Sequence, residues 1–198
     1  MYLDGTGNEI SYKEYLNFFK KSHLTATSWD YKTPDSGRVS QIVKPRYSSY
    51  MVKYDLFKDK IESITNRKFE NKIFLISFYY LDDLCSGYGN KLNKNALTRI
   101  KNNWLDEKKF IENKNEDIVI LTFFEEGHII ANSPNSQEEY LFTDSENFLR
   151  ESIFRTRASC GSFALVKPNG ETLVRNGESN VIYAEQHLNP ENWEQFFP

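Results

Sequence analysis

The chain has 198 residues, with 25 Lys and Arg against 28 Asp and Glu, for a net charge of −3; this excludes a general nucleic-acid binder, whose affinity rests on a basic surface. Hydrophobic residues make up only 39 %, but 15 Phe, 12 Tyr and 3 Trp are among them, which excludes a disordered chain and gives a core of few, large side chains. The length suits one or at most two domains, and no run of about 18 apolar residues is present to cross a membrane as a helix.

Taken along the chain, Asp4-Gly5-Thr6-Gly7-Asn8 is a turn signal. Ser11 followed by Glu14 is a capping box, and Tyr15, Leu16, Phe18 and Phe19 supply the apolar stripe of a short helix. Residues 25–50, rich in Ser, Thr, Pro and Tyr, read as irregular structure with short strands such as Arg38–Val43, after a turn at Pro34-Asp35-Ser36-Gly37. Residues 55–66 predict a second helix with Leu56, Phe57, Ile61 and Ile64 on its buried face. The run Ile73–Tyr80 and the run Ile118–Phe124 suit strands buried on both faces, as in a parallel sheet. Between them, residues 91–113 predict an amphipathic helix, broken near its start, so a βαβ unit results. A polar loop follows at 131–140, then a helix from Asp144 or Ser145 to about Phe154. Ser162–Val166 and Thr172–Arg175 flank Lys167-Pro168-Asn169-Gly170 as a hairpin, since Pro presets φ and Gly accepts a positive one. Residues 181–196 predict a terminal helix interrupted at Pro190, with Trp193, Phe196 and Phe197 packing back.

The order of elements from residue 72 onward, with the segment Cys160-Gly161-Ser162-Phe163-Ala164-Leu165-Val166-Lys167-Pro168-Asn169-Gly170 as a late hairpin, resembles the thioredoxin-like superfamily over about two-thirds of the chain. The resemblance implies a mixed sheet with flanking helices, preceded by an N-terminal α+β extension. It also implies a redox motif of two cysteines spaced C-x-x-C after the first buried strand, and a cis-proline before the hairpin. The chain departs from both. The motif region reads Asp82-Asp83-Leu84-Cys85-Ser86-Gly87-Tyr88, with one cysteine, and Gly161 or its neighbour stands where the proline would be.

Ligands of an open parallel α/β sheet bind outside the carboxyl ends of its strands. Three segments belong there: Asp82–Gly87, Glu125–His128 and Ser159–Gly161. The resemblance implies that Cys85 and Cys160 lie close despite their separation, and three states are open to them: two buried inert thiols, a structural disulfide, or a redox pair. Asp82, Asp83, Glu125, Glu126 and His128 are candidates for a cation site or, more plainly, for caps and solvated loops; adjacent residues of an extended chain face opposite ways, so at most one of each acidic pair can converge. No metal-ligand spacing, paired CxxC or phosphate loop is present. Arg155 and Arg157 are candidates for an anion or for pairing with the surrounding acids, and Tyr31, Tyr47, Tyr50 and Tyr54 for a contact surface or for padding of the core.

The expectation is an α/β chain: a thioredoxin-like domain at 72–198 with residues 1–71 as an extension packed on it, in one unit. The charge division, +4 over residues 1–72 and −7 over 73–198, reads as solvated faces or a partner surface. The expected function is a non-catalytic binding protein, an inhibitor or immunity-type protein among its forms, with another protein as partner, no cofactor and no metal. Its expected binding residues are Asp82, Asp83, Tyr88, Glu126, His128 and Arg157. The alternative is a thiol-dependent oxidoreductase with Cys85 as nucleophile and Cys160 as resolving residue. Met1–Gly5 is no signal peptide, so the cytoplasm is the default compartment, with the periplasm or cell envelope if Met1 replaces a removed export signal.

Overall fold

The structure is a computed structural model that describes residues 1–87, 89–178 and 181–198, with the side chains of Val181 and Ile182 outside the description. Two short strands, β1 (Tyr2–Leu3) and β2 (Glu9–Ile10), flank a turn closed by Asp4, whose Oδ1 accepts from Thr6 N at 2.8 Å and Asn8 N at 2.9 Å. Helix α1 (Tyr12–Ser22) opens on the expected capping box: Glu14 N donates to Ser11 Oγ and Ser11 N to Glu14 Oε2. Strands β3 (Thr27–Thr33) and β4 (Gly37–Val43) then form a hairpin, and these strands make a four-stranded sheet in the order β2-β1-β4-β3.

The second half of the fold is built on β5 (Tyr47–Met51), α2 (Tyr54–Thr65), β6 (Ile73–Tyr79), β7 (Lys91–Leu92), α3 (Lys94–Lys114), β8 (Ile118–Glu125), β9 (Ile129–Ile130), β10 (Leu141–Asp144), α4 (Phe148–Ser152), β11 (Ser162–Val166), β12 (Glu171–Asn176), α5 (Val181–Gln186) and α6 (Pro190–Trp193). Six of the strands form a mixed sheet in the order β10-β8-β6-β11-β12-β5, while β7 and β9 pair separately. β6, β8 and β10 run parallel, and β11, β12 and β5 follow as antiparallel neighbours. The chain is therefore a mixed α/β protein with flanking helices. Its β6-α3-β8 unit followed by the β11–β12 hairpin has the element order that the resemblance implied.

Alternation along β6 divides the core. Phe74, Ile76 and Phe78 face one side, where Phe57 meets Phe74 edge-on at 5.3 Å and Phe154 stacks on Phe78 at 4.5 Å. Leu75 faces the other, among Ile118, Ile120, Phe163, Leu165 and Leu173 and under Ala184 and Trp193 of the terminal helices. A strand buried on both faces has to be a continuous apolar run, which is why β6 and β8 stand out in the sequence.

Several expectations are corrected. On α2 the buried face is Tyr54, Phe57, Ile61 and Thr65, spaced three and four apart; Leu56 lies off that stripe and is 61 % exposed. The helix expected from Asp144 to Phe154 is five residues long, because Leu141–Asp144 is drawn into the sheet as β10, with Leu141 beside Thr122. Within residues 1–71, β5 pairs with β12 of the large sheet and α2 covers one of its faces, while β1 to β4 form a separate sheet.

The adjacent pair on α2 gives a test. Phe57→Ala is expected to cost about 3–5 kcal/mol through the cavity it leaves, and Leu56→Ala less than about 0.5 kcal/mol. Denaturant midpoints of the two variants check this, and equal losses would contradict the assigned face.

Candidate functional site at a bonded cysteine pair

Two strands deliver the site. β11 pairs antiparallel with β6 so that Ser162 lies opposite Phe78, and the residues before β11 are thereby held against the carboxyl end of β6. The chain enters β11 through two left-handed residues, Cys160 (φ 65°) and Gly161 (φ 76°). Gly161 is needed there: a Cβ would stand 2.8 Å from the Phe78 carbonyl oxygen and 3.0 Å from the Tyr79 ring. Below it Tyr80, fully buried, donates to the Thr156 carbonyl at 2.7 Å and bonds Ser162 Oγ at 3.0 Å. The segment leaving β6 turns at Asp82 (φ 62°) and brings Cys85 back over Cys160. The two cysteines form a disulfide across 75 residues, with Cα atoms 4.8 Å apart, inside the ordinary range. Cys85 is exposed and Cys160 half-buried.

Asp83 lies beneath the bond and is buried. Its Oδ1 accepts from Cys85 N at 2.8 Å, and its Oδ2 from Gly161 N at 3.2 Å. Burial pushes its carboxyl above the usual carboxylate value, against the pull of the backbone N–H groups of Cys85, Cys160, Ser86 and Gly161. Asp82 faces out and exchanges hydrogen bonds with Asn90, at 3.0 Å from its N–H and 2.7 Å to its carboxylate. The N-terminal sheet reaches both loops. Ser159 N donates to Ser28 O and Asp30 N to Ser159 Oγ, each at 2.7 Å, and Leu84 N donates to Asp30 O at 3.4 Å.

The acids after β8 divide in the same manner. Glu125 turns inward and is buried; it accepts from Leu81 N at 2.8 Å, Arg157 Nη2 at 2.8 Å and Arg150 Nε at 3.2 Å. Glu126 is exposed and accepts from Asn147 Nδ2 at 2.6 Å. His128 is buried, with Nδ1 2.9 Å from the Glu125 carbonyl. Arg157 is thus paired with an acid, with its guanidinium 6.0 Å from the Trp29 ring, and Arg155 lies 4.4 Å over the Tyr50 ring. Tyr31, Tyr47 and Tyr50 are packed against the core, and Tyr54 is within it. Of the expected binding residues, then, Asp83 meets the cysteine pair, Asp82 and Glu126 turn away from the interior, and His128 and Arg157 gather around Glu125; Tyr88 lies outside the described residues. Among the described residues no three His, Cys, Asp or Glu are grouped to hold a metal ion. Asn90, Ser28 and Asp30 act here through non-local bonds that leave no signal in the sequence. Glu125 gave one signal, a charge closing an apolar run, which has to find cations when the run is buried.

No family model matches the sequence. No curated protein is similar to it. Solved structures similar to the chain include the N-terminal domain of PilB from Neisseria gonorrhoeae, 12 % identical with a TM-score of 0.44 over 69 % of this chain and 93 % of that one. The exposed lipoprotein thioredoxin Etrx1 from Streptococcus pneumoniae is 12 % identical with a TM-score of 0.37, covering 82 % of this chain and 100 % of that one. A secreted Mycobacterium tuberculosis disulfide oxidoreductase, homologous to DsbE of E. coli, is 8 % identical with a TM-score of 0.33 over 59 % and 80 %. The expectation of a non-catalytic binding or immunity-type protein is corrected. The carboxyl edge of the sheet carries a bonded cysteine pair with Cys85 exposed, the pair that the alternative expectation names. Among the described residues no helix is long and apolar enough to cross a membrane.

Burial holds His128 below the ordinary imidazole value of 6.5, against the pull of Glu125. Its folded form stays neutral while the unfolded chain takes up a proton, so its contribution to stability is complete above about pH 6.5 and declines as pH falls below it. His187, lowered by burial and by Arg175, acts in the same sense; Asp83 and Asp144, raised by burial, oppose it at lower pH. His128→Gln is expected to flatten the decline of melting temperature between about pH 6.5 and about pH 5. Thermal melts across that window check this, and an unchanged slope would contradict it.

Proposed function

We propose that the protein is a thiol–disulfide oxidoreductase on a thioredoxin-like scaffold, with Cys85 and Cys160 as its redox centre in place of a C-x-x-C pair. The observation that carries the reading is the Cys85–Cys160 disulfide at the carboxyl edge of the sheet, with Cys85 exposed and Cys160 half-buried behind it. A structural staple has no need of an exposed cysteine, whereas exchange needs one that an incoming thiolate can reach.

The accessibility difference assigns the roles. An external thiolate attacks Cys85 Sγ; the Cys85–Cys160 bond breaks, and its electron pair leaves on Cys160 as a thiolate that takes up a proton. The external thiol is now joined to Cys85. A second external thiolate attacks the sulfur of the first, the electron pair returns to Cys85, and the net change is two thiols oxidised to one disulfide and the protein pair reduced to two thiols. In the opposite direction Cys85 attacks a substrate disulfide and Cys160 resolves the mixed species. The strand order β8-β6-β11-β12 supports the scaffold, with β5 extending its far edge and the 1–43 sheet seated beside the pair. A lasting disulfide also favours an oxidising compartment.

The test is exchange with glutathione under native conditions, followed by mass spectrometry of the quenched protein. The wild type is expected to gain and lose its bond without unfolding. Cys85→Ser is expected to abolish exchange, and Cys160→Ser to accumulate a stable glutathione adduct on Cys85. A bond that glutathione reduces only in denaturant would overturn the reading and leave a structural staple.

A further inference from the structure

We infer that Asp83 is a positioning residue for the cysteine pair: its buried carboxylate holds the backbone of both cysteine-bearing loops at once, so the two sulfurs stay facing each other after the bond between them is broken. The inference rests on the redox reading above only for its biological use; the clamp itself concerns the equilibrium between dithiol and disulfide within this chain.

The bond from Cys85 N to Asp83 Oδ1, two residues apart, is an ordinary Asx turn and explains itself locally. The bond from Gly161 N to Oδ2 is not local: it spans 78 residues and joins the loop after β6 to the segment entering β11. One carboxylate therefore makes the same connection as the disulfide, immediately beneath it and without covalency. Burying a carboxylate is costly unless its oxygens are hydrogen-bonded, and here the donors come from both loops. Hydrogen bonds to an ionised acceptor are about twice as strong as neutral ones. The flanking residues are tied as well, Ser159 and Leu84 to β3, but those bonds fix each loop to a third element and leave the direct link to Asp83.

One consequence follows for the equilibrium. Holding the reduced thiols together raises their effective concentration for each other and favours the disulfide. Asp83 thus makes the pair harder to reduce. Asp83→Asn keeps the shape and one accepting oxygen, removes the charge, and presents an NH2 group to one of the two loops.

The experiment measures the dithiol–disulfide equilibrium of the full chain against glutathione, with mild denaturant to speed equilibration where needed. Asp83→Asn is expected to lower the constant for disulfide formation at least tenfold, a rise in reduction potential of about 30 mV. An unchanged potential in a folded Asp83→Asn variant would overturn the inference. Should that variant fail to fold, amide hydrogen exchange in the wild type decides: the Cys85 and Gly161 amides are expected to remain protected in the reduced protein, and free exchange of either would overturn the clamp. A wild type that performs no exchange with external thiols would defeat the redox reading and leave this inference standing, whereas loss of the potential shift would defeat this one alone.

Discussion

The antiparallel pairing of β11 with β6 is the constraint on which the site depends. Setting Ser162 against Phe78 joins residues more than 80 positions apart, and it leaves the chain before β11 no room except over the end of β6. Gly161 is the point of closest approach, where a side chain would collide with the Phe78 carbonyl. A slip of one residue would turn every β11 side chain to the other face, moving Phe163 and Leu165 away from the cluster under Trp193. Register is therefore specified by core packing, and the meeting of Cys85 with Cys160 is a by-product of that packing.

At the strand ends neighbouring acids are sorted to opposite sides, by the end of β8 in one case and by the left-handed turn at Asp82 in the other. Glu125 is buried and Glu126 exposed; Asp83 is buried and Asp82 exposed. Each inward acid then has to be matched. Glu125 is matched by two arginines and a backbone amide, and Asp83 by backbone amides alone. Glu125 keeps one arginine and the Leu81 amide if the other arginine is removed, so the group reads as structural support under the site. The backbone-matched Asp83 reports directly on the positions of the loops that match it.

What could be read from residues alone follows locality. The capping box at Ser11 and Glu14, the Pro168–Gly170 turn and the continuous runs of β6 and β8 are properties of neighbouring residues, and all took the form expected. β10 was unreadable because Leu-Phe-Thr-Asp has no pattern of its own and becomes a strand only by lying parallel to β8. β5 was hidden likewise among tyrosines and serines until β12 paired with it. Leu56 is apolar yet lies off the buried stripe, because its angle around the helix and not its hydrophobicity sets its face. At the site, the closeness of the cysteines came only through the resemblance to a family, and the Asp83–Gly161 bond, being non-local, had no signal in either segment.

Distance along the chain also changes what a redox pair requires. Two cysteines in one turn of helix are held together by local structure, whereas these two are held by the tertiary fold. In the chain-entropy view, closing a loop of this length stabilises the folded state by about 4 kcal/mol. By the thermodynamic cycle, the folded state stabilises the bond by the same amount. A pair so coupled can be reduced and remade only if the protein without its bond remains folded. The six-stranded sheet supplies that independence: β6 is buried on both faces by aromatic clusters that owe nothing to the disulfide. The N-terminal sheet adds hydrogen bonds to both loops, through Ser28 and Asp30 of β3. With the fold carried by the sheet, the cystine is free to act as a chemical group, and the remaining question of how strongly the two sulfurs prefer each other falls to the few polar contacts directly beneath them.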